Sequence, residues 1–273
     1  MFEAIILGII QGLTEFIPIS SSAHIRLAGE VFPNAIDPGA MFTAITQIGT
    51  ELAVLIYFRK DIVRIISSWV SSLTDKSARN QDSKMGWLII IGSLPIVIIG
   101  YLAQDFIETD LRSLWIIATM MVVFGLILGA ADKYASKTKE LSQLTVKHGV
   151  LYGLAQSLAL IPGVSRSGAT IAMGRVLGYS REAALRYSFL LALPAVFGSG
   201  LYQLKSALSE DQVAVYSLGE TFVATAIAFV VGYLVISWLL KFVTTKSFAP
   251  FIIYRVILGT TVLGLLAAGV LSA

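Results

Sequence analysis

Two short stretches of the sequence hold side chains whose types and spacing suit phosphate chemistry. The first contains an amide, a carboxylate, serine hydroxyls and an imidazole. Gln11 and Glu15 are four residues apart and therefore share one face of a helix. His24 follows Ser20 by four residues and Ser21 by three, so we expect its imidazole to reach either hydroxyl. A serine within reach of an imidazole is the simplest arrangement for an activated nucleophile.

Pro18 lies between the acid and the serines and is expected to divide this stretch into two half-helices. Proline suits the first turn of a helix, where the backbone N–H groups have no partner within the helix. Such a terminus attracts anions, and the helix dipole strengthens the attraction. Serines in this position are also common N-caps. A purely structural interpretation of each serine therefore stays open.

The second stretch follows another proline, Pro162, and contains a guanidinium among hydroxyls. Ser165, Arg166 and Ser167 are consecutive, and Thr170 lies close enough to share a helix face with Arg166. A guanidinium binds phosphate oxygens bidentately. This set of donors predicts a phosphate or diphosphate site. The alternative is that Arg166 anchors to lipid headgroups or forms an ion pair with an acid such as Glu15.

The composition indicates which kind of protein positions these side chains. Of the 273 residues, 56% are hydrophobic and only 14% are charged, whereas an average soluble domain has about 25% charged residues. This excludes a cytosolic enzyme, a disordered scaffold and a nucleic-acid binder, and it indicates a polytopic membrane protein. The chain has no cysteine, so neither a disulfide nor a thiolate metal site is available.

Six stretches are apolar enough to cross a bilayer and have close to the ~20 residues that a spanning helix needs. They are 40–58, 86–104, 113–131, 185–203, 217–240 and 250–271. Residues 2–29 and 148–178 are also apolar, but a proline break divides each into halves that are too short to cross. The predicted fold is an all-α polytopic membrane protein with six transmembrane helices and two re-entrant broken-helix hairpins.

The charges of the loops orient these elements, because lysine and arginine accumulate on the cytoplasmic side. Loops 59–85, 132–147 and 241–249 carry six, four and two basic residues, whereas loops 104–112 and 204–216 carry one each. The basic loops fall on one side only if each hairpin returns to the side from which it enters. Both termini are then extracytoplasmic, and the net charge of +3 mainly records this orientation.

The two broken stretches also resemble each other. The pattern Gly-x-x-Gln-x-Leu begins at Gly8 and again at Gly153, each time followed by Ile-Pro and serines. We therefore interpret residues 1–273 as a single integral membrane domain with repeat halves of about 1–131 and 132–273. The loop charges give these halves opposite orientations. Inverted repeats of this kind place their site near the bilayer midplane, where the broken helices meet.

The meeting of the two breaks predicts the composition of the site. Arg166 and His24 would surround one point with the hydroxyls, and Glu15 would be the nearby acid, which suits a transferring phosphoryl group. Ionisable side chains at this depth are costly and usually functional. We expect Glu15 to bind a divalent cation and Gln11 to add a neutral oxygen.

Other polar residues at membrane depth are less specific. Gln47 and Glu51 lie one turn apart within a predicted span. Arg26, Arg175 and Arg255 lie near the ends of helices, where snorkelling to the interface is the default expectation. None of these residues is assigned a chemical role, although the burial of Glu51 most needs an explanation.

The two motifs resemble those of the bacterial undecaprenyl-diphosphatase family, which is associated with bacitracin resistance. The family pattern is (E/Q)xxxE, a downstream histidine and PGxSRSxxT. In this chain Gln11 and Glu15 form the (E/Q)xxxE part, and His24 is the downstream histidine. Residues 162–170 match PGxSRSxxT completely, and the three parts occur in the same order. The match in length and span layout extends over nearly the whole chain.

The resemblance implies hydrolysis of undecaprenyl diphosphate to undecaprenyl phosphate and inorganic phosphate, with Mg²⁺ or Ca²⁺ as cofactor. The reaction would take place at the extracytoplasmic face of the bacterial cell membrane. It would recycle the lipid carrier for peptidoglycan synthesis, and hence for cell-wall biogenesis and cell shape, and confer resistance to bacitracin. The implied partners are the lipid substrate and the bilayer, and a homodimer is left open.

Carried over residue by residue, the resemblance implies a site with three kinds of members. The expected catalytic residues are Glu15, Ser21, His24 and Arg166; the expected substrate-binding residues are Ser20, Ser165, Ser167 and Thr170; and the expected metal ligands are Glu15 and Gln11. Because Gln11 occupies the first acidic position of the motif, Glu15 alone is expected to supply the negative charge for the metal.

We expect Ser21, deprotonated by His24, to attack the terminal phosphorus, and water then to cleave the phospho-enzyme. Attack by His24 itself is an alternative. Inverted repeats and broken helices also occur in secondary transporters, so a transporter or flippase for a phosphorylated lipid or anion is the rival function. An ion channel is disfavoured, because the polar groups cluster at two breaks and do not line one face of a span.

Overall fold

The computed structural model describes residues 1–32, 38–109, 111–135, 138–208 and 215–272. Lys137, which contributes to the charge of the second basic loop, lies outside these residues. The α-helices of the described part are, in chain order, α1 (Phe2–Thr14), α2 (Ser21–Val31), α3 (Gly39–Tyr57), α4 (Arg59–Thr74), α5 (Gln81–Leu102), α6 (Gln104–Thr109), α7 (Leu114–Tyr134), α8 (Val146–Ser157), α9 (Arg166–Val176), α10 (Arg181–Leu208), α11 (Leu218–Thr245) and α12 (Ala249–Ala267).

Both proline-broken stretches consist of two short helices, as predicted. The first is α1 and α2, of 13 and 11 residues, and the second is α8 and α9, of 12 and 11 residues. At ~1.5 Å per residue, each of these helices is at most about 20 Å long, which is shorter than the ~30 Å hydrocarbon core of a bilayer. None of the four helices can therefore cross a membrane alone.

The two breaks have the same backbone geometry. Ser20 and Ser165 both adopt a left-handed φ, of 76° and 71°. Their hydroxyls accept the backbone N–H groups of Ala23 and Gly168 at 3.4 and 3.1 Å. The N-cap interpretation therefore holds for these two serines. A left-handed φ costs a residue other than glycine about 1–3 kcal/mol and is typical of functional sites.

Packing between helices follows the same pattern in the two halves. The helix α1 of the first half packs against α11 of the second, and α8 of the second half packs against α5 of the first. Two further pairs, α3 with α10 and α7 with α12, also join a helix of one half to a helix of the other. A Cβ atom at Gly8 would lie 2.6 Å from the carbonyl oxygen of Ala224, and one at Gly153 would lie 2.3 Å from the carbonyl oxygen of Gly92. The repeated glycines thus permit the close approach of two equivalent helix pairs. Their opposite orientation in the membrane stays a prediction.

Five helices of the described part, α5, α7, α10, α11 and α12, are long and apolar enough to cross a bilayer. The predicted span 40–58 corresponds to α3, which Phe58 joins to α4 at a bend of 81°, and the pair counts as a sixth candidate. The chain is therefore a multi-pass membrane protein.

The prediction of a loop over 59–85 is wrong for its first part, because α4 is a helix of 16 residues. One side of this helix is basic and polar, so the sequence of α4 does not form a continuous apolar segment. Its exposed apolar side chains are three or four residues apart and lie on one stripe: Val63, Ile66, Val70 and Leu73.

The prediction that the arginines at helix ends snorkel to the interface is also wrong for two of them. Arg175 and Arg255 are fully buried. The Nε atom of Arg175 donates to Asp132 at 3.0 Å and thereby fastens the C-terminal end of α9 to α7. Arg26 forms an ion pair with Glu30 within α2. A buried guanidinium is stable only with such partners.

Candidate active site

The two proline breaks meet inside the helix bundle, as predicted. The backbone N–H of Gly163 in the second break donates to Ser22 Oγ in the first at 3.5 Å. Ser167 Oγ donates to the backbone carbonyl of Glu15 at 3.2 Å. The N-termini of α2 and α9 therefore lie beside each other, although they are more than 140 residues apart in the chain.

Arg166, the first residue of α9, lies at the centre of this meeting point. Its Nη2 atom donates to Glu15 Oε1 at 2.5 Å and to Glu51 Oε1 at 2.6 Å. Its Nη1 atom is buried and has no hydrogen-bond partner. The ion pair with Glu15 that was the alternative to a phosphate site is thus present, and one edge of the guanidinium is still available to a ligand.

Glu15 also accepts hydrogen bonds on its other oxygen. Ser21 Oγ donates to Glu15 Oε2 at 2.6 Å, and Gln11 Nε2 donates to the same oxygen at 2.7 Å. The carboxylate is buried, and its Oε1 atom faces Arg166. The base within reach of the Ser21 hydroxyl is therefore Glu15.

His24 does not form the expected hydrogen bond with Ser21. Its Nδ1 atom lies 2.7 Å from the backbone carbonyl oxygen of Ser20. Because a carbonyl only accepts, Nδ1 carries a proton. The Nε2 atom lies 2.9 Å from the hydroxyl of Tyr254, and the two rings stack with centroids 5.6 Å apart. The carbonyl one turn before His24 is thus a closer partner than either serine hydroxyl, and the role of His24 as the base for Ser21 is not supported.

Three predicted substrate-binding hydroxyls surround Arg166 but have partners of their own. Ser165 Oγ and Ser167 Oγ lie 3.2 Å apart. The Thr170 hydroxyl donates to the Arg166 carbonyl at 2.8 Å and lies 2.5 Å from Ser188 Oγ in α10. Thr170 is fully buried, so its hydroxyl is not available to a substrate in this conformation. These contacts support the start of α9, and the role of Thr170 in substrate binding stays a prediction.

A second buried guanidinium connects the two breaks. Arg255 Nη1 donates to the Pro18 carbonyl at 3.1 Å, and Nη2 donates to the carbonyls of Gly163 and Val164 at 2.8 and 3.1 Å. Its Nε atom donates to the Met121 carbonyl in α7 at 2.9 Å. The carbonyls of Pro18, Gly163 and Val164 lie where the chain breaks, and Arg255 donates to them from α12. We therefore assign Arg255 a positioning role that its place in the sequence did not indicate.

The oxygens around Glu15 suit a hard divalent cation such as Mg²⁺ or Ca²⁺. Gln11 Oε1 and Glu51 Oε2 are buried and have no hydrogen-bond partner. Ser21 adds a hydroxyl oxygen, and Glu15 adds a carboxylate. Such cations take oxygen ligands, and Mg²⁺ is usually bound by one or two carboxylates and substrate phosphates. In the described ranges no three His, Asp or Glu side chains meet, so amide and hydroxyl oxygens would be needed as well.

Comparison with known proteins agrees with the motifs. The family model described as bacitracin resistance protein BacA matches residues 4–261. The undecaprenyl-diphosphatases of Pseudarthrobacter chlorophenolicus and Micrococcus luteus are each 60% identical to this chain, over 100% and 99% of it and over 99% of their own lengths. Undecaprenyl-diphosphatase 2 of Streptomyces coelicolor is 56% identical over 99% of this chain and 96% of its own. With a match over nearly its full length, the chain belongs to the family of the bacitracin resistance protein BacA.

Proposed function

We propose that this protein hydrolyses undecaprenyl diphosphate to undecaprenyl phosphate and inorganic phosphate. The observation that carries the proposal is the group formed by Ser21, Glu15 and Arg166 where the breaks meet. It combines a hydroxyl 2.6 Å from a carboxylate base with a guanidinium whose Nη1 has no partner. The name undecaprenyl-diphosphatase of relatives that align over the whole chain supports the choice of substrate.

The diphosphate binds between the N-termini of α2 and α9. Both termini direct backbone N–H groups and the positive ends of their dipoles to this point. Arg166 Nη1 donates to a phosphate oxygen, and the guanidinium neutralises part of the charge that develops during transfer. The apolar surface of the spans keeps the prenyl chain in the bilayer while the headgroup enters the site.

Ser21 Oγ attacks the terminal phosphorus, and Glu15 Oε2 accepts its proton. The bond between the terminal phosphorus and the bridging oxygen breaks, so that undecaprenyl phosphate leaves and a phosphoserine remains. Water then hydrolyses the phosphoserine and releases inorganic phosphate. Glu15 and Gln11 would hold Mg²⁺ or Ca²⁺, which would neutralise part of the charge of the phosphates. Attack by His24 is the alternative first step, since its Nε2 carries the lone pair.

The site is proposed to open to the extracytoplasmic face, with both termini on that side, because the basic loops mark the cytoplasmic side. Hydrolysis there recycles the lipid carrier for peptidoglycan synthesis and counters bacitracin.

Phosphate release from undecaprenyl diphosphate tests the proposed function. The purified wild-type protein is expected to release phosphate, and both a chelator of divalent cations and Glu15→Ala are expected to abolish the release. Glu182→Ala is the control, because Glu182 is half exposed and forms an ion pair with Arg186 near the start of α10. Phosphate release that neither the chelator nor Glu15→Ala changes would contradict the mechanism, and absence of release from the wild type would favour a transporter.

Trapping the phospho-enzyme distinguishes the two nucleophiles. We expect an acid-stable phosphoryl group on Ser21 after an acid quench of labelled substrate, because phosphoserine survives acid whereas phosphohistidine does not. Ser21→Ala should lose this label, while Ser22→Ala should keep it. A label that survives only an alkaline quench would identify His24 as the nucleophile. Absence of label under both quenches would indicate direct attack by water.

A further inference from the structure

We propose that Glu51 is a ligand of the divalent cation in this site and supplies the second carboxylate that Gln11 lacks. The inference rests on the proposed function to the extent that a phosphatase uses this cation. It concerns a residue of α3, outside both sequence motifs. Neither the spacing of the motifs nor the family pattern assigns a role to Glu51.

The hydrogen bonds of Glu51 leave one oxygen without a partner. The side chain is 0% exposed. Its Oε1 atom accepts from Arg166 Nη2 at 2.6 Å, whereas Oε2 is buried and has no hydrogen-bond partner. Nearly all buried polar atoms in proteins are hydrogen-bonded, and an exception calls for an explanation. A cation that binds beside Arg166 and Glu15 would give this carboxylate oxygen a partner.

The charges at this point do not balance without a further cation or proton. Glu15 and Glu51 both bind the single guanidinium of Arg166. Two carboxylates and one guanidinium leave one negative charge in a buried place, where an uncompensated charge is costly. Arg255 does not compensate it by contact, because its donors bind backbone carbonyls. A divalent cation bound by both carboxylates would remove this cost.

Gln11 completes the ligand set and explains why a second acid is needed. Its Nε2 atom is bound to Glu15, and its Oε1 atom is buried without a partner, as is Glu51 Oε2. The family pattern has Glu or Gln at this position, and Gln offers a neutral oxygen. The second negative charge then comes from α3 and not from α1. Two carboxylates and one amide oxygen fit Mg²⁺, which leaves its remaining positions to water and substrate phosphates.

Binding of Mn²⁺, followed by the EPR signal of the free ion, tests this inference on the full-length protein in nanodiscs without lipid substrate. Glu51→Gln is expected to weaken Mn²⁺ binding by at least about tenfold. The double variant Glu51→Gln with Gln11→Glu is expected to recover most of the affinity, because it returns a carboxylate to the first position of the motif. Glu182→Gln is the control and should bind Mn²⁺ like the wild type.

Wild-type Mn²⁺ affinity in Glu51→Gln would overturn the inference, and Glu51 would then be a protonated partner of Arg166. Weakened binding that Gln11→Glu does not restore would overturn it as well. If Glu51→Gln does not fold, Glu51→Asp takes its place. Aspartate keeps the negative charge, but its shorter side chain moves the carboxylate oxygens away from the cation. Unchanged Mn²⁺ affinity in this variant would again refute the role of Glu51 as a ligand.

Phosphate release measured on the same wild-type preparation separates this inference from the proposed function. Binding of Mn²⁺ that depends on Glu51, without phosphate release, would refute the function and leave the cation site standing. Phosphate release together with Mn²⁺ binding that is independent of Glu51 would support the proposed function and refute the role of Glu51 as a ligand.

Discussion

Arg166→Lys is expected to lower the rate of phosphate release by about 10²–10³-fold, the loss typical of removing one donor to a developing charge. Lysine keeps the positive charge beside Glu15 and Glu51, so the protein should still fold. An ammonium group cannot donate through two fixed edges at once, and the guanidinium here uses Nη2 for the carboxylates and keeps Nη1 for the ligand.

The measurement is the turnover of purified wild type and variant under saturating substrate, together with thermal unfolding of both. Arg186→Lys is the matched control, because Arg186 is partly exposed and its Nη2 binds Asp61 at 3.0 Å away from the breaks. A rate close to that of the wild type in Arg166→Lys would refute the proposed contact between Nη1 and phosphate.

Arg255→Met is expected to destabilise the protein and to abolish phosphate release. Methionine fills much of the volume but leaves the carbonyls of Pro18, Gly163 and Val164 without their donor. Each buried polar group that loses its partner costs about 1–3 kcal/mol, and the carbonyls belong to both breaks. The two half-helix termini would then no longer be held beside each other.

Thermal unfolding in nanodiscs and the yield of monodisperse protein measure this effect. Arg59→Met is the control, since Arg59 is exposed and donates to a single carbonyl, that of Ile56, at 3.0 Å. An unfolding temperature equal to that of the wild type for Arg255→Met would show that the hydrogen bonds of Arg255 add nothing to the meeting of the breaks.

The features that could be predicted from the sequence are those that a local pattern determines. Pro18 and Pro162 interrupt apolar stretches, and the broken helices follow from this alone. Arg166 among hydroxyls predicted a phosphate site, because an ionisable side chain at membrane depth is usually functional. The helix α4 was missed, since its polar side resembles a cytoplasmic loop and its apolar stripe is narrow.

The roles that could not be predicted depend on contacts between distant parts of the chain. Glu51 and Arg166 are 115 residues apart, and His24 and Tyr254 are 230 residues apart. Spacing along a helix identifies only neighbours on that helix. It therefore predicted His24 as the hydrogen-bond partner of Ser21, whereas the partner in the structure is Glu15. Arg255 was interpreted from its place near the end of a span, whereas the carbonyls that it binds become available only when both breaks pack against α12.

The two N-cap serines differ in the residue that follows each of them, and the proposed mechanism depends on this difference. After Ser20 the helix α2 begins with Ser21, and after Ser165 the helix α9 begins with Arg166. The same backbone turn therefore presents the proposed nucleophile on one side and a cation on the other. A chain made of two copies of the first half would have a serine at both of these positions, and a chain made of two copies of the second half would have an arginine at both. The similar backbone of the two breaks forms the proposed binding site for the diphosphate. The different side chains of Ser21 and Arg166 give the two sides of this site different roles in the proposed reaction.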